Sequence, residues 1–174
     1  MKKDMTLQKT ILSGLFLALG ILLPFLTGQI QQFGNMMLPM HLPVLICGFV
    51  CGPFWGLAVG FITPLLRSLL FHMPPMFPIA ITMAFELAAY GLLTGLFGKV
   101  FPKGKSGVFA ALIVSMIAGR VVWGLAAGTF YSMAGMPFNM TVFVAGAFLN
   151  AWPGIIIQLI LVPPIVRAVR KVAE

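Results

Sequence analysis

The sequence predicts an all-α membrane protein: six transmembrane helices in a compact bundle, with the N- and C-termini cytoplasmic. Three observations predict it. Hydrophobic residues make up 60% of the 174 positions and charged residues only 8%, with a mean hydropathy of +1.07, a composition suited to lipid rather than water. Apolar runs recur at lengths near the roughly 20 residues that a helix needs to cross the hydrocarbon layer. The basic residues lie between those runs, where they anchor and orient the helices.

The first span is expected over about 7–27. It follows Met1-Lys2-Lys3-Asp4, and no small-residue cleavage signal follows it, so it reads as a retained helix rather than a signal peptide. A polar loop, Gly28 to Asn35, comes next. The apolar stretch 42–71 is too long for one span and carries Pro53 and Pro64. Because proline cannot continue a helix without a break or kink, the stretch divides at Gly52-Pro53 into a short second span (42–52) and a third (54–71). His72-Met73-Pro74-Pro75-Met76 separates the third from a fourth span at about 77–98, and the fifth and sixth follow at about 107–130 and 141–169. All of 1–174 is then one integral membrane domain with no room for a soluble one.

Charge tests this count. Lys2, Lys3 and Lys9 precede span one, Lys99, Lys103 and Lys105 lie between spans four and five, and Arg167, Arg170 and Lys171 end the chain. Six spans put all nine on one side. Five would send the C-terminal cluster across the membrane, against the bias of Lys and Arg toward cytoplasmic loops. The net charge of +8 is therefore assigned to helix anchoring and not to nucleic acid.

Three ionisable residues break the apolar runs: Arg67, Glu86 and Arg120. A charge within the bilayer is costly unless it is paired or faces a polar cavity, so these positions mark the first candidate site. At about 1.5 Å per helical residue, Arg67 and Arg120 are expected roughly 20 Å from the cytoplasmic starts of their spans, and Glu86 roughly 14 Å below the outer surface. Asn150 on span six falls at a similar depth. Tyr90, four residues after Glu86, and Trp123, three after Arg120, share a helical face with their charged neighbours; Phe148 and Trp152 are weaker candidates. His41, His72 and Asn35 lie near the outer helix ends, where they could border a pocket or its lid. An ion pair between Glu86 and one arginine would by itself hold helices together without a ligand. It would leave the second arginine uncompensated, which favours an anionic group on a ligand.

Other chemistries find little support. Cys47 and Cys51 stand four apart in an apolar helix with no His or acidic residue nearby in sequence, so neither a disulfide framework nor a metal site is indicated. Gly104-Lys105-Ser106 ends like a phosphate loop, but Lys99 occupies the position where the motif needs its first glycine. No HExxH or GxSxG pattern occurs, and three acidic residues in all leave little for catalysis. The chain is not expected to be an enzyme, to bind a metal or cofactor, or to bind ATP.

Small residues add a further signal. Gly14 and Ala18 form a small-xxx-small pair in span one, and Gly48, Gly52, Gly56 and Gly60 recur every four residues through spans two and three. Such faces permit close helix approach. With this pair, the segment Leu38-Pro39-Met40-His41-Leu42-Pro43 running to Gly52-Pro53, and the stretch Glu86-Leu87-Ala88-Ala89-Tyr90-Gly91 running to Leu96, the chain resembles the substrate-binding S components of energy-coupling-factor (ECF) vitamin transporters over nearly its whole length. The resemblance implies a bacterial or archaeal cytoplasmic membrane protein that captures a water-soluble vitamin or related micronutrient from outside. A separate transmembrane coupling protein and two ATPase subunits would then drive uptake, and Gly14 and Ala18 would meet the coupling protein. Two arginines against one glutamate favour an anionic vitamin, with pantothenate the first choice, biotin, lipoate or folate next, and neutral pyridoxine or riboflavin still open. The competing reading is a membrane scaffold or assembly subunit whose buried charges are structural only.

Overall fold

A computed structural model of the chain describes residues 2–27, 36–102 and 104–173. Among these residues there is no strand; the elements are helices α1 (Lys2–Leu22), α2 (His41–Cys51), α3 (Pro53–Phe71), α4 (Ile81–Val100), α5 (Lys105–Met133), α6 (Met140–Val144) and α7 (Trp152–Ala173). A tight 3-10 segment, Leu23–Thr27, extends α1, and wide π-type turns, Met76–Ala80 and Ala145–Leu149, precede α4 and extend α6.

Five helical segments are long and apolar enough to cross a membrane: Met5–Leu26, Pro53–Phe71, Met76–Val100, Ser106–Met133 and Trp152–Val169. The expected second span exists as α2, but its 11 residues reach only about 16 Å. It survives as a short helix because nine of those residues are buried: α1, α3, α4 and α7 pack around it. The expected sixth span is interrupted at 150–151, between the Ala145–Leu149 turn and α7.

Local chemistry sets the ends. Gly52 takes φ 100°, a conformation that side chains disfavour, and Pro53 occupies the first position of α3, where a missing N–H costs nothing. Asn139 starts α6 by accepting a hydrogen bond from the Val142 N–H at 2.9 Å. Asn139 thus has a structural role in the Asn139-Met140-Thr141 sequence.

Glycines then fix how the helices approach. A Cβ on Gly56 would meet the Gly91 carbonyl, one on Gly60 the Leu87 carbonyl, one on Gly48 the Thr94 hydroxyl, and one on Gly95 the backbone of Pro53. Gly48, Gly56 and Gly60 therefore work as one surface despite Pro53, while a Cβ on Gly52 would meet nothing within 4 Å: the α2–α3 hairpin clasps the Leu87–Gly91–Gly95 ridge of α4 at backbone contact. This clasp makes α4 the central helix, with α2, α3 and α5 against it, and holds its Glu86–Tyr90 face opposite the start of α2 and the middle of α5.

Candidate functional site

Glu86 and Tyr90 are one turn apart on α4 and 2% and 0% exposed. From α5, buried positions recur at Val108, Leu112, Ser115, Gly119 and Arg120, a helical stripe that carries Arg120 inward. Gly119 makes room beside it, since a Cβ there would strike the Tyr90 ring. Arg120 Nη1 lies 2.9 Å from Glu86 Oε1. His41, at the first turn of α2 and 1% exposed, brings Nε2 to 3.7 Å of the same oxygen, with its ring 5.4 Å from that of Tyr90. Three helices thus deliver two opposite charges, an imidazole and a phenol to one buried locus.

These groups are close but poorly satisfied. Among the described residues, buried atoms without a hydrogen-bond partner include both ring nitrogens of His41, the Tyr90 hydroxyl, Glu86 Oε1, and Nε and Nη2 of Arg120. The contact between Arg120 and Glu86 is therefore one of charge proximity, not an aligned hydrogen bond. Four buried hydroxyls elsewhere in the bundle are satisfied by contrast: Thr63, Thr82, Thr94 and Ser115 each donate to a carbonyl four residues back in their own helices, at 2.6, 2.7, 2.8 and 2.7 Å. An orphaned buried donor or acceptor costs about 1–3 kcal/mol. Concentrating several at one place is what a site awaiting a polar ligand requires. The Nε–Nη2 edge of Arg120 in particular is a two-donor fork, matched to two oxygens of a carboxylate.

The other expected site residues divide. Arg67 is buried at 3% exposure, but its guanidinium lies over the Phe25 and Phe71 rings, at 5.3 and 5.9 Å, with Nη1 unpartnered. The antiparallel register that sets Gly56 against Gly91 and Gly60 against Leu87 brings Arg67 level with Ala80. Ala80 ends the turn before α4, six residues or about 9 Å ahead of Glu86. Among the described residues Glu86 and Arg120 thus form one locus, and Arg67 has different surroundings. Trp123 belongs to an aromatic cluster with Phe138 and Phe143, with ring centres 6.0 Å from each, and is set off from the charges. Asn150 is exposed, its backbone N–H donating to Ala145 at 2.8 Å, because the chain breaks where a continuous sixth span would have turned it inward. Phe148 and Trp152 are exposed. His72 is exposed and ends α3 in a left-handed conformation at φ 58°. Asn35 lies outside the described residues. Gly14 and Ala18 are exposed, and a Cβ on Gly14 would meet nothing within 4 Å, so the small face of α1 is unused among the described residues.

Among the described residues, one buried polar side chain with unpartnered atoms escaped the sequence reading. Gln158 on α7 is fully buried, with neither amide atom partnered. It interrupts an apolar run, Ile155 to Val162, and shares a four-residue spacing with Gly154, Val162 and Val166. That spacing was the available signal, obscured because an amide carries no charge to draw attention.

The family of ECF transporter substrate-specific components matches residues 8–166. No curated protein and no solved structure matches the chain. Members of this family are membrane proteins that bind the substrate of a transporter and are not enzymes, in keeping with the apolar bundle and its buried polar locus. The match spans most of the chain: it belongs to the ECF transporter substrate-specific components.

Proposed function

We propose that this protein captures an anionic, water-soluble vitamin, with pantothenate the leading candidate, for uptake by a separate coupling module. The observation that carries the reading is the Arg120 side chain: Glu86 approaches Nη1 and the Nε–Nη2 edge is buried and free. Glu86 then positions a cation whose second edge takes the carboxylate, so one arginine serves both contacts. Arg67, set apart on α3, is a second cation and not part of the same clamp.

In the proposed topology α2 counts as the second crossing, and residues 140–149 together with α7 as the sixth, so both termini and the nine flanking basic residues face the cytoplasm of a bacterial or archaeal cell. The Glu86 locus then lies in the outer half of the membrane. The chain binds no nucleotide itself; ATP is hydrolysed by two ATPase subunits that act through the transmembrane coupling protein. The exposed Gly14–Ala18 face of α1 is where that coupling protein would approach closely.

Purified protein is tested by thermal unfolding against a vitamin panel, because a ligand that binds only the native state must raise its apparent stability. Pantothenate at 100 times its Kd is expected to add about 2.7 kcal/mol. Stabilisation by neutral vitamins alone overturns the anionic reading, and indifference to every vitamin favours a scaffold. For the docking face, Gly14→Leu is expected to abolish uptake in cells while leaving that thermal shift intact; unchanged uptake rules out this face.

A further inference from the structure

Gln158 lies on a fourth helix, packed against two of those that build the site. Its face of α7, Gly154, Gln158, Val162 and Val166, is buried throughout, and α7 packs on α2 and α5, the helices that carry His41 and Arg120. Gly154 sits against Met36, Met37 and Leu38, and the Leu38 carbonyl accepts the His41 N–H at 3.1 Å. One turn beyond Gly154, Gln158 enters the bundle beside the beginning of α2.

A glutamine in that stripe is expensive as packing. Its neighbours at i±4 are glycine and valine, and both amide atoms are buried without partners. A methionine would fill similar space with nothing left unsatisfied. The carboxamide offers one donor and one acceptor side by side, the complement of an amide, ureide or imide edge. His41, on the neighbouring α2, supplies further uncharged donors and acceptors.

We propose that Gln158 is a specificity-determining residue that reads a neutral donor–acceptor group, such as an amide or ureide, lying beside the carboxylate of the captured molecule. This rests on the carboxylate reading above and narrows it: a carboxylate alone is not enough. Sites built to hydrogen-bond a group reject analogues that lack it, because their own polar atoms are then left unpaired.

The test compares wild type with Gln158→Met by ligand-induced thermal shift, using four probes. Pantothenate carries a carboxylate and an amide, biotin a carboxylate and a ureide, lipoate a carboxylate without either, and riboflavin an imide without a carboxylate. The expected result is that pantothenate or biotin stabilises wild type and lipoate does not. Gln158→Met then weakens that binding about 10- to 100-fold, with the melting temperature of the unliganded protein unchanged or raised. Equal binding of lipoate, or indifference to Gln158→Met, overturns the Gln158 assignment and leaves the carboxylate reading standing. Stabilisation by riboflavin alone overturns the carboxylate reading in either case: its loss in Gln158→Met supports Gln158, and its persistence there overturns Gln158 as well. No stabilisation by any probe overturns both.

Discussion

Two faces of α4, about 100° apart around one helix, follow opposite rules. Leu87, Gly91 and Gly95 meet α2 and α3 at backbone contact, and Thr94 beside them spends its hydroxyl on the Tyr90 carbonyl; nothing on that face is left over. Glu86 and Tyr90 face His41, Arg120 and the helix packed alongside, and orphaned polar atoms collect there. The contrast shows where the molecule gains rigidity and where it keeps binding capacity. The tight seam holds the site's helices in place, so the polar groups can remain unsatisfied without the bundle rearranging to satisfy them.

The largest effect is expected on the tight face. Gly91→Leu places a branched side chain against the Gly56 backbone, where neither helix can yield, and should abolish recovery of folded, monodisperse protein after detergent extraction. If it folds normally, the seam is not what positions the site. Next comes Arg120→Ala, which removes the fork and strands Glu86. Ligand affinity measured by calorimetry should fall by roughly 30-fold or more, the range for truncating one member of a buried charge pair. Arg67→Leu should change affinity less than about threefold if the two arginines are as separate as their surroundings indicate; a loss as large as that of Arg120→Ala would rejoin them in one clamp. The smallest effect belongs to Thr94→Val, whose hydroxyl is already satisfied within its own helix: about 0.6 kcal/mol in a thermal or denaturant assay, with binding untouched.

Much of this was legible in the sequence, for identifiable reasons. Apolar runs bounded by basic residues and Gly-Pro punctuation located the helices, because lipid forces backbone hydrogen bonds into contiguous segments. That Glu86 would pair with an arginine was legible because buried charges are too costly to leave alone, but which of Arg67 and Arg120 it meets was not. The surroundings of Arg67 were not legible either, since counting residues from a flat membrane surface ignores helix packing, whereas glycine contacts set the register of α3 on α4. The short α2 reads as a span by hydropathy, yet its length is permitted by four protein neighbours and not by lipid. Trp123 shares a face with Arg120 in a helical projection, but aromatic neighbours from 138–143 claim it. Gln158 needed knowledge of which stripe of α7 points inward.

The length of α5 has a consequence for the lipid. Its 29 residues measure about 43 Å against a hydrocarbon thickness of about 30 Å, and even a tilt of 40° leaves an overhang. Phe130 and Tyr131, near its end, and Phe138, just past it, are aromatic residues of the kind that settle at headgroup depth. Hydrophobic mismatch therefore falls on the helix that holds Arg120. Acyl-chain length is then expected to act on this protein through α5, whose tilt is constrained on one side by an α4 held in its clasp.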